Sequence, residues 1–254
     1  MALSKNRIKE LAKYKQKKHR DEEGVFVAEG WKLIEELAKH FDCKALIVTD
    51  KAKEPANRLK GTTAETASDE EMGRITLMKT PREAYAIFKR PDTSIDRIET
   101  KGLTLALDGV QDPGNVGTII RTADWFGIET VICTKACAEP YGPKVVQATM
   151  GALSRVSVKE TDDLSALLKD AARRGVSIYG TLLEGNDITQ EELSEDGVIV
   201  MGSEGNGLSS EVRECVSKRL RIENWPKGRE TSESLNVAAA TAIVCAEFRR
   251  RLKK

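Results

Sequence analysis

The sequence predicts an α/β protein whose larger domain is built on a parallel sheet covered by helices. From residue 103 onward, short apolar runs with β-branched residues alternate with helical stretches, which is typical of successive β-α units. Hydrophobic residues make up 40% of the chain and charged residues 32%, a balance typical of a chain that folds around a core. Its 254 residues allow one large domain or two modest ones.

The alternation defines the elements of the second part of the chain. Strands are predicted over residues 103–107, 130–134, 155–158, 176–182, 198–201 and 219–222. Helices are predicted over residues 116–126, 143–152, 162–174, 209–217 and 233–252. Parallel sheets bind their ligands at the carboxyl ends of the strands. The loops that follow these strands are therefore where a site is expected.

The first hundred residues have a weaker pattern and predict a separate, smaller domain. Helices are expected over residues 4–20, 29–40, 69–73 and 81–88, and strands over residues 45–49 and 75–79. Residues 89–101 carry proline, serine and alternating charges, which predicts a linker. We therefore expect one domain over residues 1–95 and another over residues 100–254.

Positive charge is concentrated at the two ends of the chain. Residues 1–20 hold eight Lys and Arg against one Glu, a net charge of +7, and residues 249–254 hold five Lys and Arg, although the whole chain carries only +1. A polyanion would be attracted to these ends. A solvated helix and a frayed tail explain the same charge equally well.

Composition also excludes several kinds of chemistry. The two histidines, His19 and His40, lie near the N-terminus, so a Ser-His-Asp triad or a multi-histidine metal site is excluded from the C-terminal two-thirds. The longest mostly apolar run, residues 235–246, is too short for a membrane span, and we expect no signal peptide. The five cysteines form no CxxC pair, which predicts a cytoplasmic protein with reduced thiols and no zinc site.

Three unusual loops each join a predicted strand to a predicted helix. The first contains Asn115, the expected helix cap, with Arg121 in the second helical turn. The second, MGSEGNGL at residues 201–208, places three glycines around Glu204, and the third opens the last helix at residues 231–240. Each alone is explained as an ordinary turn, but the three together favour a ligand site. Dinucleotide, P-loop and nucleophile-elbow motifs do not occur in the sequence.

Together the loops resemble the three signature motifs of the SpoU branch of the SPOUT RNA methyltransferases. The matching stretches are NVGTIIR at residues 115–121, MGSEGNGL at 201–208 and ESLNV at 233–237, in the family's order. The resemblance covers roughly residues 103–252. Residues 17–33 more weakly resemble the start of the family's N-terminal RNA-binding domain. The resemblance implies a parallel sheet with a C-terminal trefoil knot, preceded by a small α/β RNA-binding domain.

The same resemblance implies an activity. Members transfer a methyl group from S-adenosylmethionine to a ribose 2′-hydroxyl of RNA, without a metal, and generally work as homodimers. Ribosomal RNA is the expected substrate, because the extra N-terminal domain resembles that of rRNA-modifying members. Transfer RNA is an alternative substrate. A non-catalytic RNA-binding protein on this scaffold and an α/β enzyme acting on a small molecule also stay open.

The family's functional residues carry over onto matching positions. The residues expected to contact the cofactor are Thr181, Leu182, Gly202, Gly205, Ile222 and Leu235. The residues expected around the reacting ribose are Asn115, Arg121, Glu204, Ser234 and Asn236. Arg121 is implied either to act as the base or to hold an RNA phosphate and stabilise the developing alkoxide. A guanidinium, with a pKa above about 12, is a poor free base, so both roles are kept.

Two features of the last segment carry further expectations. The run between Ile222 and Leu235 is longer than is usual in the family, which predicts an enlarged loop holding Trp225, Lys227 and Arg229. That loop either contacts RNA or is a surface excursion. The helix predicted over residues 233–252 is apolar nearly all round, so we expect it to pack on its own sheet and on a second copy of the chain.

Overall fold

The computed structural model describes residues 3–59, 61–226, 229–230, 232 and 234–251. The chain forms two compact units. One comprises residues 1–92 together with residues 141–154, and the other comprises residues 93–140 and 155–254.

A four-stranded mixed sheet is the centre of the first unit. Its strands are β1 (Val25–Glu29), β2 (Cys43–Val48), β3 (Ala64–Thr66) and β4 (Ala84–Lys89), in the spatial order β1-β4-β2-β3. Strand β4 is antiparallel to both of its neighbours, whereas β2 and β3 are parallel. The helices are α1 (Lys5–Ala12), α2 (Lys17–Glu22), α3 (Trp31–Leu37), α4 (Asp50–Ala56) and α5 (Asp69–Ile75).

Three predictions for this unit were wrong. The helix predicted over residues 81–88 is strand β4, whose residues 84–88 are all buried, and a fully buried strand lacks the alternation that distinguishes strand from helix. The strand predicted over residues 75–79 is instead a turn held by the buried Glu29 carboxylate, which accepts hydrogen bonds from the following segment. The single helix predicted over residues 4–20 is divided by a short 3₁₀ turn into α1 and α2.

The second unit contains the predicted parallel sheet, which is confirmed. Its strands are β5 (Leu103–Asp108), β6 (Thr130–Thr134), β7 (Ser157–Thr161), β8 (Ile178–Asp187), β9 (Gly197–Gly202) and β10 (Lys218–Arg221). Their spatial order is β10-β8-β9-β5-β6-β7, and every neighbouring pair is parallel. The carboxyl ends of all six strands therefore lie along one edge. The implied knot stays a prediction.

Helices follow the strands as expected, with shifted ends. They are α6 (Pro113–Trp125), α7 (Pro143–Thr149), α8 (Leu164–Arg173), α9 (Ser210–Arg213) and α10 (Val237–Arg250). Helix α10 begins four residues later than predicted because the side chain of Asn236 caps it, accepting hydrogen bonds from the backbone of its first turn. The predicted ends of this helix, Glu233 and Leu252, lie outside the described residues.

Helix α7 is placed differently from what a division near residue 100 implies. Residues 141–154 pack with the first unit: the Tyr141 ring lies 5.3 Å from that of Phe26, and a Cβ on Gly151 would lie 2.9 Å from Cγ of Glu36. The predicted linker also packs, because Ile98 is buried in the core of the second unit. The functional division into residues 1–95 and 100–254 stays a prediction.

Candidate active site

The loop between β5 and α6 positions the first group of site residues. Asp112 caps α6, with its Oδ1 accepting the backbone N–H of Asn115 at 2.8 Å, and Pro113 occupies the first helical position. The prediction that Asn115 caps this helix was therefore wrong. Because Asp112 satisfies the helix end, the amide side chain of Asn115 is available for a contact elsewhere.

The loop after β9, residues 202–209, closes on itself, and we call it the glycine loop. Ser203 and Gly207 exchange two backbone hydrogen bonds of 3.0 Å. Gly207 has a left-handed φ of +66°, which favours glycine. A Cβ on Gly202 would lie 2.3 Å from the carbonyl carbon of Gly207, so the closure itself requires glycine at position 202. The result is a narrow closed loop, and Glu204 is one of its exposed residues.

Side-chain amides join the three motif segments. Nδ2 of Asn115 donates a hydrogen bond to Oε1 of Glu204, and Nδ2 of Asn236 donates to Oδ1 of Asn115 at 3.0 Å. Oδ1 of Asn236 in turn accepts the backbone N–H groups of Ala238 and Ala239, at 3.0 and 3.2 Å. We call the three side chains of Asn115, Glu204 and Asn236 the amide relay.

The direction of the amide relay is determined at both of its ends. The N-terminus of α10 offers only N–H donors, so Asn236 must present its oxygen there and its NH2 group to Asn115. An ionised carboxylate only accepts, so Glu204 requires the NH2 group of Asn115. Both amides are therefore held in one orientation. The relay needs an acceptor at position 204 and amides at positions 115 and 236.

Arg121 lies outside this cluster. It is six residues after Asn115, which places it about 240° around α6, on a different face. Its side chain is exposed, and no ion pair or hydrogen bond joins it to any described residue. Thr118, Arg121 and Trp125 instead form an exposed stripe along α6, and Trp125 is 84% exposed. Ser234 is exposed as well.

The residues expected around the cofactor belong to three neighbouring strands and the segments that follow them. The prediction that Thr181 and Leu182 end a strand was wrong, because β8 continues to Asp187; both are half-buried within β8, just after its pairing with β9 ends at Gly180. Ile222, half-buried, follows β10 directly, and Leu235 is 49% exposed.

Gly205 has no steric requirement for glycine within the described part of the chain. Apart from its two chain neighbours, no described atom lies within 4 Å of the position that its Cβ would take, and its φ lies outside the left-handed region, in contrast to Gly202, which the loop closure requires. The expectation that Gly205 contacts the cofactor stays a prediction.

One positioning contact was missed by sequence reasoning. The Asp108 carboxylate, at the end of β5, accepts the backbone N–H of Ser209 at 2.7 Å. The sequence did offer one indication of this contact: Asp108 is an acidic residue at the last position of the strand that precedes the first motif.

The enlarged loop is described in part. Trp225 is 82% exposed on a turn in which Nδ2 of Asn224 donates to the carbonyl oxygen of Arg229 at 2.9 Å. The backbone N–H of Arg229 also donates to the carbonyl of Pro226, at 3.1 Å. Lys227 lies outside the described residues.

The described part of the chain shows neither a metal-binding cluster nor a membrane-spanning helix. It contains no group of three His, Cys, Asp or Glu side chains arranged to hold a metal ion. Within it, no helix has both the length and the apolar character that crossing a bilayer requires.

Cys137, in the turn after β6, is expected to alkylate fastest of the cysteines. Hydrogen bonding from Cys133 lowers the pKa of Cys137 to about 7, whereas burial raises the pKa of Cys43 to about 11 and also raises that of Cys215. Cys43, Cys137 and Cys215 are all half-buried, so the thiolate fraction decides. Iodoacetamide should label Cys137 first, at a rate that falls as the pH drops below about 7. Peptide mass spectrometry measures this, and equally rapid labelling of Cys43 would contradict it.

The parallel sheet, the closed glycine loop and the amide relay at one sheet edge define an α/β enzyme of the methyltransferase class that the motifs indicated. The chain belongs to the SpoU rRNA methylase family, whose model matches residues 102–246. The model of the MRM3-like substrate binding domain matches residues 5–86. The predicted family, enzyme class and cofactor, S-adenosylmethionine, are confirmed.

Solved and characterised relatives resemble the chain over nearly its whole length. A candidate RNA methyltransferase of the TrmH family from Porphyromonas gingivalis is 40% identical, with a TM-score of 0.89 over 99% of this chain and 100% of that chain. An AdoMet-bound rRNA methyltransferase from Sinorhizobium meliloti is 30% identical, with a TM-score of 0.84 over 100% and 98%. The 23S rRNA (guanosine(2553)-2′-O)-methyltransferase RlmP of Bacillus subtilis is 29% identical over 96% of each chain.

Proposed function

We propose that the protein methylates a ribose 2′-hydroxyl of ribosomal RNA, at a guanosine of the large-subunit rRNA. The observation that carries the proposal is the amide relay, which ties the three family motifs together at the carboxyl edge of the sheet. Relatives that align over most or part of the chain are named as 23S rRNA guanosine methyltransferases. The residues that match a substrate binding domain, 5–86, precede those that match the methylase family.

The cofactor would be held by backbone and apolar groups of β8 and of the segments at the ends of β9 and β10. S-adenosylmethionine supplies an electrophilic methyl group on a sulfonium. Leu182, Ile222 and Leu235 would cover its apolar surface, Thr181 and the backbone at Gly202 would contact its polar groups, and Gly205 leaves room for close approach. These groups bind without offering a cation, which suits a ligand that carries positive charge itself.

The remaining site residues act on the RNA. Arg121 would hold the phosphate beside the target ribose and stabilise the oxyanion that develops as the 2′-hydroxyl passes its proton to water. Asn115 and Ser234 would contact the ribose. Glu204 and Asn236 orient Asn115 through the amide relay.

We also infer that the working form is a homodimer formed through α6 and α10. These helices pack against each other, yet both present apolar side chains to solvent. Trp125 is 84% exposed on α6, and Ala239, Ile243 and Ala246 form an exposed stripe on α10, with Ile243 at 42%. A second copy would cover both stripes in a two-fold interface. Arg121 lies on the α6 stripe, so each site would take its arginine from the partner.

The cytoplasm is the proposed location. All five cysteines are free thiols in the structure, as expected of a protein in a reducing compartment.

The proposed activity is tested by transfer of a labelled methyl group from S-adenosylmethionine to purified RNA. Large-subunit rRNA, small-subunit rRNA and tRNA would be compared as substrates, and alkali-resistant positions mapped, because a 2′-O-methyl group blocks hydrolysis at its own nucleotide. We expect one modified guanosine in large-subunit rRNA. Methylation of tRNA alone would overturn the substrate assignment, and no transfer to any RNA by cofactor-binding protein would overturn the activity.

Replacement of Trp225 by alanine should raise the KM for RNA about tenfold, since stacking on a base contributes about 1–3 kcal/mol. The exposed ring has no packing role to lose in the free protein. Affinity for S-adenosylmethionine should not change, and Trp225→Phe should recover most of the RNA affinity. An unchanged KM for RNA in Trp225→Ala would show that the enlarged loop is a surface excursion that does not contact RNA.

A further inference from the structure

Asp108 is hydrogen-bonded to the last residue of the glycine loop. In the register of the sheet its Cα pairs with that of Gly202, where the loop begins. Its carboxylate accepts the backbone N–H of Ser209, where the loop ends, at 2.7 Å. One residue of β5 is thus opposite the start of residues 202–209 and bonded to their end.

The segment that carries Asp108 is itself held from the other side. The N–H of Gly109 donates to Oγ1 of Thr134 at 3.0 Å, and the N–H of Ala138 donates to the carbonyl oxygen of Val110 at 2.9 Å. The first contact comes from the last residue of β6 and the second from the turn that follows it. Asp108 is therefore a fixed point, and the glycine loop is the part that depends on it.

We propose that Asp108 is a positioning residue that sets Glu204 against Asn115. This inference rests on the proposed function. The backbone pair between Ser203 and Gly207 gives the loop its shape, but does not attach it to the sheet. On the side that leads to α9, the buried Leu208 side chain packs in the core of the second unit, and the bond from Asp108 to Ser209 fixes the backbone next to it. Without that bond the backbone at Ser209 is released, and the loop, which keeps its own shape, shifts between Gly202 and Leu208 so that Glu204 moves away from its partner amide.

The test compares Asp108→Ala, Asp108→Asn and Asp163→Ala in the full-length protein. Asp163 is the matched control, because its Oδ1 accepts the N–H of Ala166 at 2.9 Å as the cap of α8, away from the motif loops. We expect Asp108→Ala to lower kcat about 30-fold, in line with the effect of an ångström-scale misplacement. Asp108→Asn, whose Oδ1 can accept the same N–H, should recover most of kcat, and Asp163→Ala should keep wild-type kcat.

Two measurements separate positioning from a general loss of structure. In a Glu204→Ala background, which has no acceptor left to position, Asp108→Ala should lower kcat less than twofold further, because coupled residues are not additive. Amide hydrogen exchange at Ser209 should accelerate in Asp108→Ala, whereas exchange at Ser203 and Gly207 should stay at wild-type rates, because the loop keeps its own backbone pair. Asp163→Ala should leave all three rates unchanged. Additive losses of kcat, or unchanged exchange at Ser209, would overturn the proposal. If wild-type protein transfers no methyl group, the proposed function fails, and exchange alone still decides whether Asp108 holds the loop.

Discussion

Replacing Arg121 with alanine is expected to lower kcat about 100- to 1000-fold, the effect of removing one donor that stabilises a developing oxyanion. Affinity for S-adenosylmethionine should stay within about twofold, because Arg121 lies on the exposed stripe of α6 and not at the strand ends. Stability should also be unchanged, since no described group is paired with it. Arg121→Lys should recover part of kcat, since an ammonium keeps the charge but loses the two-pronged geometry. Single-turnover methyl transfer and calorimetry measure the two effects, and a large loss of cofactor affinity would contradict them.

Mixing two inactive variants tests whether the partner supplies this arginine. If each site combines Arg121 of one subunit with Glu204 of the other, then Arg121→Ala and Glu204→Ala subunits make mixed dimers with one intact site. About a quarter of wild-type activity should return, because random pairing makes about half of the dimers mixed. If both residues act within one chain, mixed dimers have no intact site and no activity returns. A protein that sediments as a monomer at micromolar concentration with full activity would contradict the shared site altogether.

Asn115→Asp is expected to lower kcat/KM about 100-fold or more, because it removes the N–H donor that Glu204 accepts in the amide relay. The new carboxylate would face that of Glu204 where an N–H donor is required, so like charges would replace a charge-assisted hydrogen bond. The unfolding free energy should fall by only about 1 kcal/mol, because Glu204 is exposed and water screens it. Steady-state kinetics and denaturant unfolding give the two quantities. A kcat/KM within threefold of wild type would contradict the role of the relay.

The double variant Asn115→Asp, Glu204→Gln separates the structural part of the relay from its chemistry. The amide introduced at position 204 would then donate to the carboxylate introduced at position 115, which still accepts from Asn236. Every hydrogen bond of the relay is thus restored, with donor and acceptor exchanged between positions 115 and 204. Stability and cofactor affinity should return to wild-type values. Recovery of kcat as well would show that the relay only positions the loops, whereas a persistent loss of kcat would show that the reaction requires the original amide at position 115 or the carboxylate at position 204.

Several elements could be located from local patterns. The strands over residues 103–107 and 130–134 are bounded nearly as predicted, because alternating strands and helices of a parallel sheet leave short apolar runs between polar turns. The motif loops also fall where the resemblance placed them, after β5, after β9 and before α10. Residues 84–88 were assigned to the wrong element, because a strand buried on both faces is as uniformly apolar as a buried helix segment.

Contacts between distant segments could not be obtained in this way. Asn115 and Glu204 are 89 residues apart and Asn115 and Asn236 are 121 apart, and no local spacing relates them. The grouping of residues 141–154 with the first unit has the same origin, since it depends on which apolar surface covers Tyr141.

The chemistry available to the protein was therefore evident in residue types and motif order: amides, one carboxylate, one arginine and glycines at strand ends, with no histidine nearby. Their arrangement was not. That Asn115 lies between Glu204 and Asn236 follows from the strand order, which places β9 beside β5. The physical reason is that side-chain types restrict which bonds can form, while the packing of the sheet selects which partners come within about 3 Å of one another.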